Sequence, residues 1–191
     1  MRSSKVPDIV VGRLPIYLRV LNYLIAEGRQ ITSSQELGDR LGISSAQIRK
    51  DLSHFGEFGK QGTGYDVIFL RDQLKRILNL NHNWPVVLIG AGDLGHALAH
   101  YQRFAIGGFD IVGVFDNDPE KIGKSYGRYT VRDVAELADV IREYNVKMGI
   151  IAVSAESARE VANMLIENGV TSILNYAPVT LMAPLGVRIQ Y

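Results

Sequence analysis

The middle of the chain carries an apolar run that leads directly into a glycine-rich turn, and no other feature limits the fold as strongly. The run Val-Val-Leu-Ile occupies residues 86–89, and Gly90-Ala91-Gly92-Asp93-Leu94-Gly95 follows it. A G-x-G-x-x-G turn between a buried strand and a helix is typical of the first β-α unit of a dinucleotide-binding sheet. Because 85 residues precede the run, the sequence predicts a separate domain ahead of the nucleotide-binding one.

The three glycines of this turn have separate tasks. The first allows a tight turn, the second lets the backbone approach a pyrophosphate, and the third lets the helix pack closely against the strand. The phosphates are expected at the N-terminus of the following helix, where backbone N–H groups point at the ligand. The predicted phosphate-binding residues are Gly90, Ala91, Gly92, Asp93, Leu94 and Gly95.

Asp116 ends the next predicted strand, residues 111–115. An acid at this place can accept hydrogen bonds from an adenosine ribose and repel a 2′-phosphate, which favours NAD(H) over NADP(H). It lies 26 residues after Gly90, slightly more than the usual spacing of about 20. Lys121 follows in the next loop, where it either reaches a phosphate or the adenine edge or is an ordinary solvated lysine.

The rest of the carboxyl-terminal half alternates between helical and strand patterns. Helices are predicted over residues 134–144 and 158–168, and strands over residues 146–153 and 171–176. This alternation predicts an α/β domain over residues 85–191, a Rossmann-type doubly wound parallel sheet. The loops after its strands are either ordinary connections or the place where a nicotinamide is held. The residues predicted to hold it are Ser154, Asn175, Ala177 and Pro178.

The amino-terminal half shows three helical patterns in succession. The first covers residues 15–27, with Pro15 in its first turn and Gly28 as its stop. A Thr-Ser-Ser sequence at residues 32–34 can cap a short second helix, which Gly42 ends, and a third helix covers residues 44–55. Two helices joined by a tight glycine turn after a first helix predict a helix-turn-helix.

The third helix is the candidate recognition helix for DNA. Ile48, Leu52 and Phe55 recur at i, i+4 and i+7, so they are predicted to pack inward. On the other faces, Lys and Arg can meet guanine acceptors or phosphates, Gln can pair with adenine, and a small Ala leaves room for a thymine methyl. The alternative is an ordinary solvated helix face. The predicted DNA contacts here are Ser45, Ala46, Gln47, Arg49, Lys50, Ser53 and His54.

A glycine-rich segment over residues 55–69 then predicts two short strands around a hairpin. Such a wing normally lies along phosphates or the minor groove, although a plain hairpin is the alternative. The predicted wing contacts are Lys60, Gln61 and Tyr65. A helical pattern over residues 71–80 and a polar hinge over residues 79–84 complete a winged-helix domain, residues 1–80.

Charge is divided unevenly between the two halves. Residues 1–84 hold 12 Lys and Arg against 8 Asp and Glu, whereas residues 85–191 hold 9 against 12. The amino-terminal half is therefore the candidate binder of a polyanion such as double-stranded DNA. The chain has no cysteine, which excludes thiolate metal sites and thiol-based redox sensing, and no metal site is predicted. Without a long apolar run or a cationic leader, we expect a cytoplasmic protein with no membrane partner.

No catalytic residue is predicted. Hydride transfer needs a substrate pocket and usually an acid or base beside the reacting carbon. The residues after Asp116 are used to finish the nucleotide-binding sheet, and His96 and His100 are expected to be exposed or structural. Two other functions stay open: a small NAD-dependent oxidoreductase with an accessory helical domain, and a winged-helix interaction module whose Rossmann-like half only dimerises.

Taken together, these segments resemble the Rex family of redox-sensing transcriptional repressors along nearly the whole chain. The strongest likeness is residues 43–65, ISSAQIRKDLSHFGEFGKQGTGY, which run from the third helix into the wing. Also similar are residues 13–19, RLPIYLR, residues 90–101, which hold the glycine-rich turn and the helix after it, and residues 174–178, LNYAP.

The resemblance implies a homodimer that binds a palindromic operator when NADH is scarce and leaves it when NADH rises, so NADH and NAD+ are the expected cofactors. It also implies that Arg19 and Tyr101 transmit the state of the cofactor between the domains, with Tyr101 near the cofactor. Family members continue into a carboxyl-terminal helix that swaps across the dimer. Because the sequence stops at Tyr191, this helix is expected to be absent from it.

Overall fold

The computed structural model describes residues 6–60, 62–101, 104 and 107–191, with the backbone alone for Lys60. The chain divides into two compact units, Met1–Asn81 and His82–Tyr191. The division falls inside the polar segment 79–84 that the sequence indicates as a hinge. Among the predicted wing contacts, Gln61 and the side chain of Lys60 lie outside the described residues.

The amino-terminal unit packs helices around one apolar core, with a small antiparallel sheet of strand order β1-β3-β2 beside them. Side chains from all four of its described helices enter this core. The helices are α1 (Asp8–Ala26), α2 (Ser34–Leu41), α3 (Ser45–Ser53) and α4 (Val67–Ile77). The strands are β1 (Ile31–Thr32), β2 (Gly59–Lys60) and β3 (Gly64–Asp66).

Helix α1 begins at Asp8, so the prediction that Pro15 lies in its first turn is wrong. Pro15 lies inside the helix, where its missing N–H removes one helical hydrogen bond. The helix continues through it because Pro15 is exposed while Leu14 and Tyr17 on either side are buried in the core. Gly28 stands just after the end of the helix in the left-handed conformation (φ +73°), as its predicted role as a stop requires.

The same helix is long and apolar enough, by length and composition alone, to cross a membrane: it has 19 residues and a mean hydropathy of 1.4 in its most apolar stretch. Its Leu14, Leu21 and Leu24 are fully buried, and they pack in the core with side chains from α2, α3 and α4. Packing inside its own unit therefore accounts for part of the apolar character of α1, whereas Ile9, Ile16 and Tyr23 on the same helix are exposed.

Local hydrogen bonds form the helix-turn-helix as predicted. The hydroxyl of Ser33 accepts the N–H of Glu36 at the start of α2, and the hydroxyl of Ser44 accepts the N–H of Gln47 at the start of α3. Gly42 ends α2 in the left-handed conformation (φ +66°), which residues with side chains rarely adopt. These positions set where the turn begins and ends.

The wing is shorter than predicted. Strands β2 and β3 pair with Gly59 opposite Tyr65, and β1 joins β3 as a strand that the sequence does not predict. The prediction that the second wing strand reaches Phe69 is wrong, because Asp66 accepts the N–H of Phe69 and α4 begins at Val67. The β-branched residues after Asp66 favour a strand locally, but the cap and the burial of Val67 in the helical core override that preference.

The carboxyl-terminal unit is the predicted α/β domain with a mainly parallel sheet, in the order β10-β9-β8-β4-β5-β7-β6. The sequence predicts its central strands but neither the antiparallel β6–β7 pair nor β10. The strands are β4 (Trp84–Ile89), β5 (Phe109–Asp116), β6 (Ser125–Tyr126), β7 (Tyr129–Asp133), β8 (Met148–Ile151), β9 (Ser172–Asn175) and β10 (Arg188–Gln190). The helices are α5 (Asp93–Ala99), α6 (Leu137–Glu143), which follows a 3-10 turn at Val134–Glu136, and α7 (Ala155–Glu167).

The two faces of this sheet are covered unequally. Helices α6 and α7 pack their apolar side chains on one face. On the other face, α5 contributes Leu98 to a smaller core around Leu88 and Val114. That face continues toward β9 and β10 as an open apolar groove of about 580 Å³, whose lining includes Met148 and Leu174.

Helices α2 and α3 approach each other closely at Gly38. A Cβ built on Gly38 would lie 2.4 Å from the carbonyl oxygen of Ile43, inside van der Waals contact. By contrast, a Cβ built on Gly12, on an exposed part of α1, would meet no heavy atom within 4 Å. Two helical glycines of one unit therefore have opposite packing environments.

We expect Gly12→Ala to stabilise the protein by about 0.5–1 kcal/mol, because alanine loses less backbone entropy in a helix and nothing hinders its side chain. Gly38→Ala makes the same chemical change in the same unit, and we expect it to destabilise, because its Cβ meets backbone. Thermal unfolding of both variants beside the wild type checks the signs. Two shifts of the same sign would contradict the packing described here.

Candidate cofactor cleft and nucleic-acid interface

A cleft of about 340 Å³ lies at the carboxyl edge of the large sheet, between the glycine-rich turn and α7. At this edge the turn follows β4, Asp116 ends β5, and Ser154 lies in the loop after β8. The structure therefore brings together five residues that the sequence predicts for the cofactor. They are Gly90, Gly92, Asp116, Lys121 and Ser154.

The three glycines of the turn differ in what surrounds them. A Cβ on Gly90, which has a φ of +104°, would lie 2.3 Å from the carbonyl oxygen of Ala152, and one on Gly95 would lie 1.8 Å from the carbonyl oxygen of Gly90. A Cβ on Gly92 would meet no heavy atom within 4 Å, although Gly92 lines the cleft. Packing inside the protein thus explains the first and third glycines, whereas the second leaves space for a ligand. This arrangement fits a pyrophosphate beside Gly92.

Asp116 is buried and connects the end of β5 to the turn. One carboxylate oxygen accepts the N–H of Ala91 at 2.7 Å, and the other accepts the N–H of Asp118 at 2.9 Å. Lys121 donates to the first oxygen at 3.2 Å. Burial opposes ionisation of Asp116, but these hydrogen bonds outweigh it and hold its pKa below the usual value. A carboxylate has about four acceptor positions, so these three donors leave one for a ribose hydroxyl.

Lys121 is paired with acidic side chains. Its ammonium lies 3.2 Å from Asp116 and 3.6 Å from Asp118, and about one third of its side chain is exposed. Of the two alternatives that the sequence leaves open, the structure favours a place in the cleft over that of a solvated loop lysine.

The opposite wall of the cleft consists of residues that the sequence analysis missed. Ser157, Glu160, Val161 and Met164 recur at i, i+3, i+4 and i+7 on α7 and all line the cleft. This spacing indicates one face of a helix and could have identified the wall from the sequence. The predicted helix begins at residue 158, whereas α7 begins at Ala155 because Ser154 is its N-cap, so the prediction left Ser157 outside the helix.

Tyr126 is another missed residue, and it lies on the unpredicted β6–β7 hairpin. Its hydroxyl donates to the carbonyl oxygen of Ala91 at 2.8 Å. The turn is thus held from two sides, because Asp116 accepts the N–H of the same residue. Ala91, Asp93 and Tyr126 also border a second hollow next to the turn, while Leu94 is exposed on α5.

Four further residues predicted for the cofactor are not among the residues that line the cleft. Tyr101 is half exposed just after α5 and stacks edge-to-face on Phe104. Asn175 is buried, and its amide nitrogen donates to the carbonyl oxygens of Ala177 and Val179. Ala177 is buried and Pro178 is exposed. The side chain of Asn175 is thus engaged by its own loop.

In the amino-terminal unit, α3 presents the predicted face to solvent. Ile48 and Leu52 are buried and Phe55 is half-buried. The exposed residues are Ala46, Arg49, Lys50, Ser53 and His54, and Ser45 and Gln47 are half-buried. This helix therefore exposes two cations, Arg49 and Lys50, together with the small side chains of Ala46 and Ser53.

Two predicted DNA contacts also have roles inside the unit. The guanidinium of Arg49 donates to the hydroxyl of Ser34 at 2.9 Å, which links α3 to the start of α2. Tyr65 is half-buried and packs against the core, and this burial raises the pKa of its phenol. Its packing joins the wing to the core of the unit, and its contact with DNA stays a prediction.

A fully buried carboxylate, Asp51, seats α3 on α1. The guanidinium of Arg13 reaches its two oxygens at 2.5 and 2.7 Å. The hydroxyl of Tyr17 donates to one oxygen at 2.6 Å, and the amide of Gln47 donates to the other at 2.7 Å. The sequence analysis missed this group, although Ile48, Asp51 and Leu52 fall on one helix face.

The charge of Asp51 is stabilised by its partners. Burial raises the pKa of a carboxyl group, but hydrogen bonds from Arg13, Tyr17 and Gln47 outweigh burial and hold the pKa of Asp51 below its usual value. Burial together with the neighbouring carboxylate raises the pKa of Tyr17, so its hydroxyl stays a donor. Among the described residues, no group of three or more His, Asp or Glu side chains is arranged to hold a metal ion.

Comparison with known proteins assigns both units. A family described as putative DNA-binding protein N-terminus matches residues 5–53, and a family described as CoA binding domain matches residues 81–179. The redox-sensing transcriptional repressor Rex of Chloroflexus aurantiacus is 52% identical over 190 residues, which are 100% of this chain and 90% of that protein. The redox-sensing transcriptional repressor Rex 1 of Thermotoga maritima is 45% identical over 187 residues, 97% of this chain and 90% of that protein.

Solved structures give the same result. The crystal structure of RSP in complex with β-NAD+ and operator DNA aligns with a TM-score of 0.92 at 36% identity, covering 98% of this chain and 86% of that chain. The crystal structure of RSP in complex with β-NADH aligns with a TM-score of 0.89 at 34% identity, covering 98% and 87%. RSP is described as a Rex-family repressor.

The glycines of the turn provide a test of the cleft. We expect Gly92→Ala to leave thermal stability nearly unchanged but to weaken NADH binding about tenfold or more, a loss of about 1.4 kcal/mol, because its Cβ enters only the ligand's space. Gly95→Ala is the matched control that should lower the melting temperature, because its Cβ meets the carbonyl of Gly90. Fluorescence titration with NADH and thermal unfolding measure the two effects. Undiminished NADH affinity in Gly92→Ala would place the pyrophosphate elsewhere.

Asp51 gives the amino-terminal unit an acid-dependent stability. Because its folded pKa lies below its unfolded value, its contribution is complete above about pH 4 and is lost as the pH falls through the folded pKa. We expect Asp51→Asn to destabilise by about 2–4 kcal/mol at neutral pH, less than for a fully buried pair because Arg13 still meets solvent. The difference in unfolding free energy between this variant and the wild type should become smaller below pH 4. Hydrogen exchange of the backbone amides of α1 and α3 measures this difference. A difference that does not change with pH would refute the ionised state of Asp51.

Proposed function

This chain belongs to the Rex family of redox-sensing transcriptional repressors, and we propose that it binds palindromic operator DNA as a homodimer and releases it when NADH binds. The observation that carries the proposal is the pairing of two surfaces in one chain. The carboxyl-terminal unit has a cleft with a vacant position beside Gly92 and an ionised Asp116. The amino-terminal unit has an exposed basic face on α3.

The cleft supports binding of NADH and NAD+ by the following division of roles. Backbone N–H groups after Gly92 face the pyrophosphate, and Asp116 accepts from the adenosine ribose. Lys121 offsets the charge of Asp116 and Asp118 at the same edge. When bound, the nicotinamide supplies the difference between oxidised and reduced states that the protein reports. RSP, the related repressor, has been crystallised with both forms.

The α3 face supports major-groove binding. Arg49 and Lys50 supply cations for phosphates or guanine edges, and Ala46 and Ser53 leave room for base contacts. A dimer meets two half-sites about one helical turn apart, about 34–36 Å, or a multiple of it. A change in the spacing of two α3 helices therefore changes operator affinity.

Release by NADH requires differential affinity. NADH must bind the arrangement that cannot hold DNA more tightly, and by linkage operator DNA must weaken NADH binding by the same factor. Arg19 on α1 and Tyr101 after α5 are both exposed within their own units, and we propose them as the residues that carry this coupling.

The open apolar groove on the large sheet supports self-association, because an apolar area of this kind is usually covered by a partner. We propose that the second copy of the chain covers it, and that the repressor acts in the cytoplasm. We also propose that the dinucleotide is an effector and not a hydride substrate, since the relatives are named as transcriptional repressors. An accessory domain on an oxidoreductase and a purely dimerising Rossmann-like half are the competing functions.

Titration of the protein–operator complex separates these functions. A duplex selected by the protein from a randomised pool is followed by fluorescence anisotropy while NADH or NAD+ is added. We expect saturating NADH to lower the operator affinity by about 5- to 150-fold, the usual range of a coupling factor, and NAD+ to lower it by less. Gly92→Ala is the control that should raise the NADH concentration required without changing operator affinity. Equal effects of the two nucleotides, or a substrate-dependent change in NADH absorbance, would argue against the sensor.

A further inference from the structure

We infer that Asp51 is a positioning residue for sequence readout: it fixes the orientation of the Gln47 carboxamide, which α3 then presents to one base pair. The inference rests on the proposed function, because it concerns how the repressor chooses its operator. Asp51 itself has no exposed side-chain surface and cannot touch DNA. Its effect on that base pair is transmitted by Gln47, which is hydrogen-bonded to it.

The two oxygens of Asp51 have different partners. Arg13 donates to both, with Nε on Oδ2 and Nη2 on Oδ1. The remaining donor on Oδ2 is the hydroxyl of Tyr17, and the remaining donor on Oδ1 is Nε2 of Gln47 at 2.7 Å. Arg13 and Tyr17 come from α1, whereas Gln47 lies one turn before Asp51 on α3. The carboxylate is thus held from one helix and holds a side chain of the other.

An ionised carboxylate accepts hydrogen bonds but cannot donate them. The amide nitrogen of Gln47 must therefore face Asp51, and the amide oxygen must face away from it. A glutamine on a solvated helix face has no such restriction, because its amide can turn over without loss. Arg13 and Tyr17 keep Asp51 charged, so they maintain this restriction even though neither contacts Gln47 in the cluster.

The orientation suits a particular base edge. Gln47 lies in the first turn of α3, and the N-terminal residues of a recognition helix are those that contact base edges. With Nε2 anchored by one N–H, Gln47 retains an acceptor oxygen and a second N–H. Adenine offers the matching pair in the major groove, a donor at N6 and an acceptor at N7. Because Asp51 restricts the Gln47 side chain before DNA binds, less conformational entropy is lost when Gln47 contacts the base.

The test compares base preferences in selections from a randomised duplex pool. Gln47→Ala identifies the base pair that Gln47 contacts. Asp51→Ala should reduce preference at that pair by about five- to a hundredfold and leave the preferences at other pairs unchanged. Alanine is used because an asparagine could still turn its oxygen toward Gln47. The double variant Gln47→Ala/Asp51→Ala should lose no further preference, since both changes remove one contact.

Tyr17→Phe is the matched control. It removes a hydrogen bond from the same buried carboxylate but leaves Oδ1 with Gln47, so it should destabilise the unit and keep the base preference. A measurement on the wild type needs no substitution: in the protein without DNA, the amide proton that Gln47 donates to Asp51 should exchange with solvent more slowly than the other amide proton of the same side chain.

The outcomes separate the inference from the function on which it rests. An Asp51→Ala protein that loses discrimination equally at every base pair, or no more than Tyr17→Phe does, overturns the positioning role while the repressor function stands. Equal exchange rates for the two side-chain amide protons of Gln47 in the wild type overturn it as well. A wild-type protein that enriches no sequence from the pool overturns the repressor function and the inference together.

Discussion

A carboxylate removed from water is stable only when the protein supplies its hydrogen bonds, and each unit of this chain has a functional element held by such a group. Asp51 accepts hydrogen bonds from α1 and α3 and so fixes the seat of the recognition helix. Asp116 accepts the N–H of Ala91 and so fixes the glycine-rich turn at the end of β5. Asp51 lies behind the helix that it positions, whereas Asp116 both positions the turn and lines the cleft.

The features predicted correctly from the sequence are those that depend on neighbouring residues. Ser33 and Ser44 bond to N–H groups three residues away, and Gly42 needs only its own backbone conformation. The glycine-rich turn likewise follows directly from β4. Arg13 and Asp51 are 38 residues apart, and no periodicity in either helix indicates that they meet. Their pairing depends on how α1 and α3 pack against each other, which the sequence alone does not show.

The same distinction explains the errors. Pro15 and the β-branched residues after Asp66 were interpreted by local preference, and in both places burial in the helical core prevailed. The wall of the cleft on α7 was missed because its residues face Asp116 across the sheet edge, which only the strand order reveals. The predicted contact between Asn175 and the nicotinamide stays a prediction, and the structure adds that the amide of Asn175 is engaged by its own loop. A polar side chain after a strand can use the same atoms to hydrogen-bond its own loop or a ligand. The sequence alone does not show which of the two it binds.

Both edge strands of the large sheet are short. On one side β6 is a two-residue strand, Ser125–Tyr126, and on the other β10 is a three-residue strand, Arg188–Gln190, with a cation at its start. Short margins of this kind give another chain little backbone to extend, which is how many proteins avoid joining strand to strand into aggregates. The two edges therefore offer little backbone for pairing with a second copy, which fits the proposal that copies associate through the broad face of the sheet.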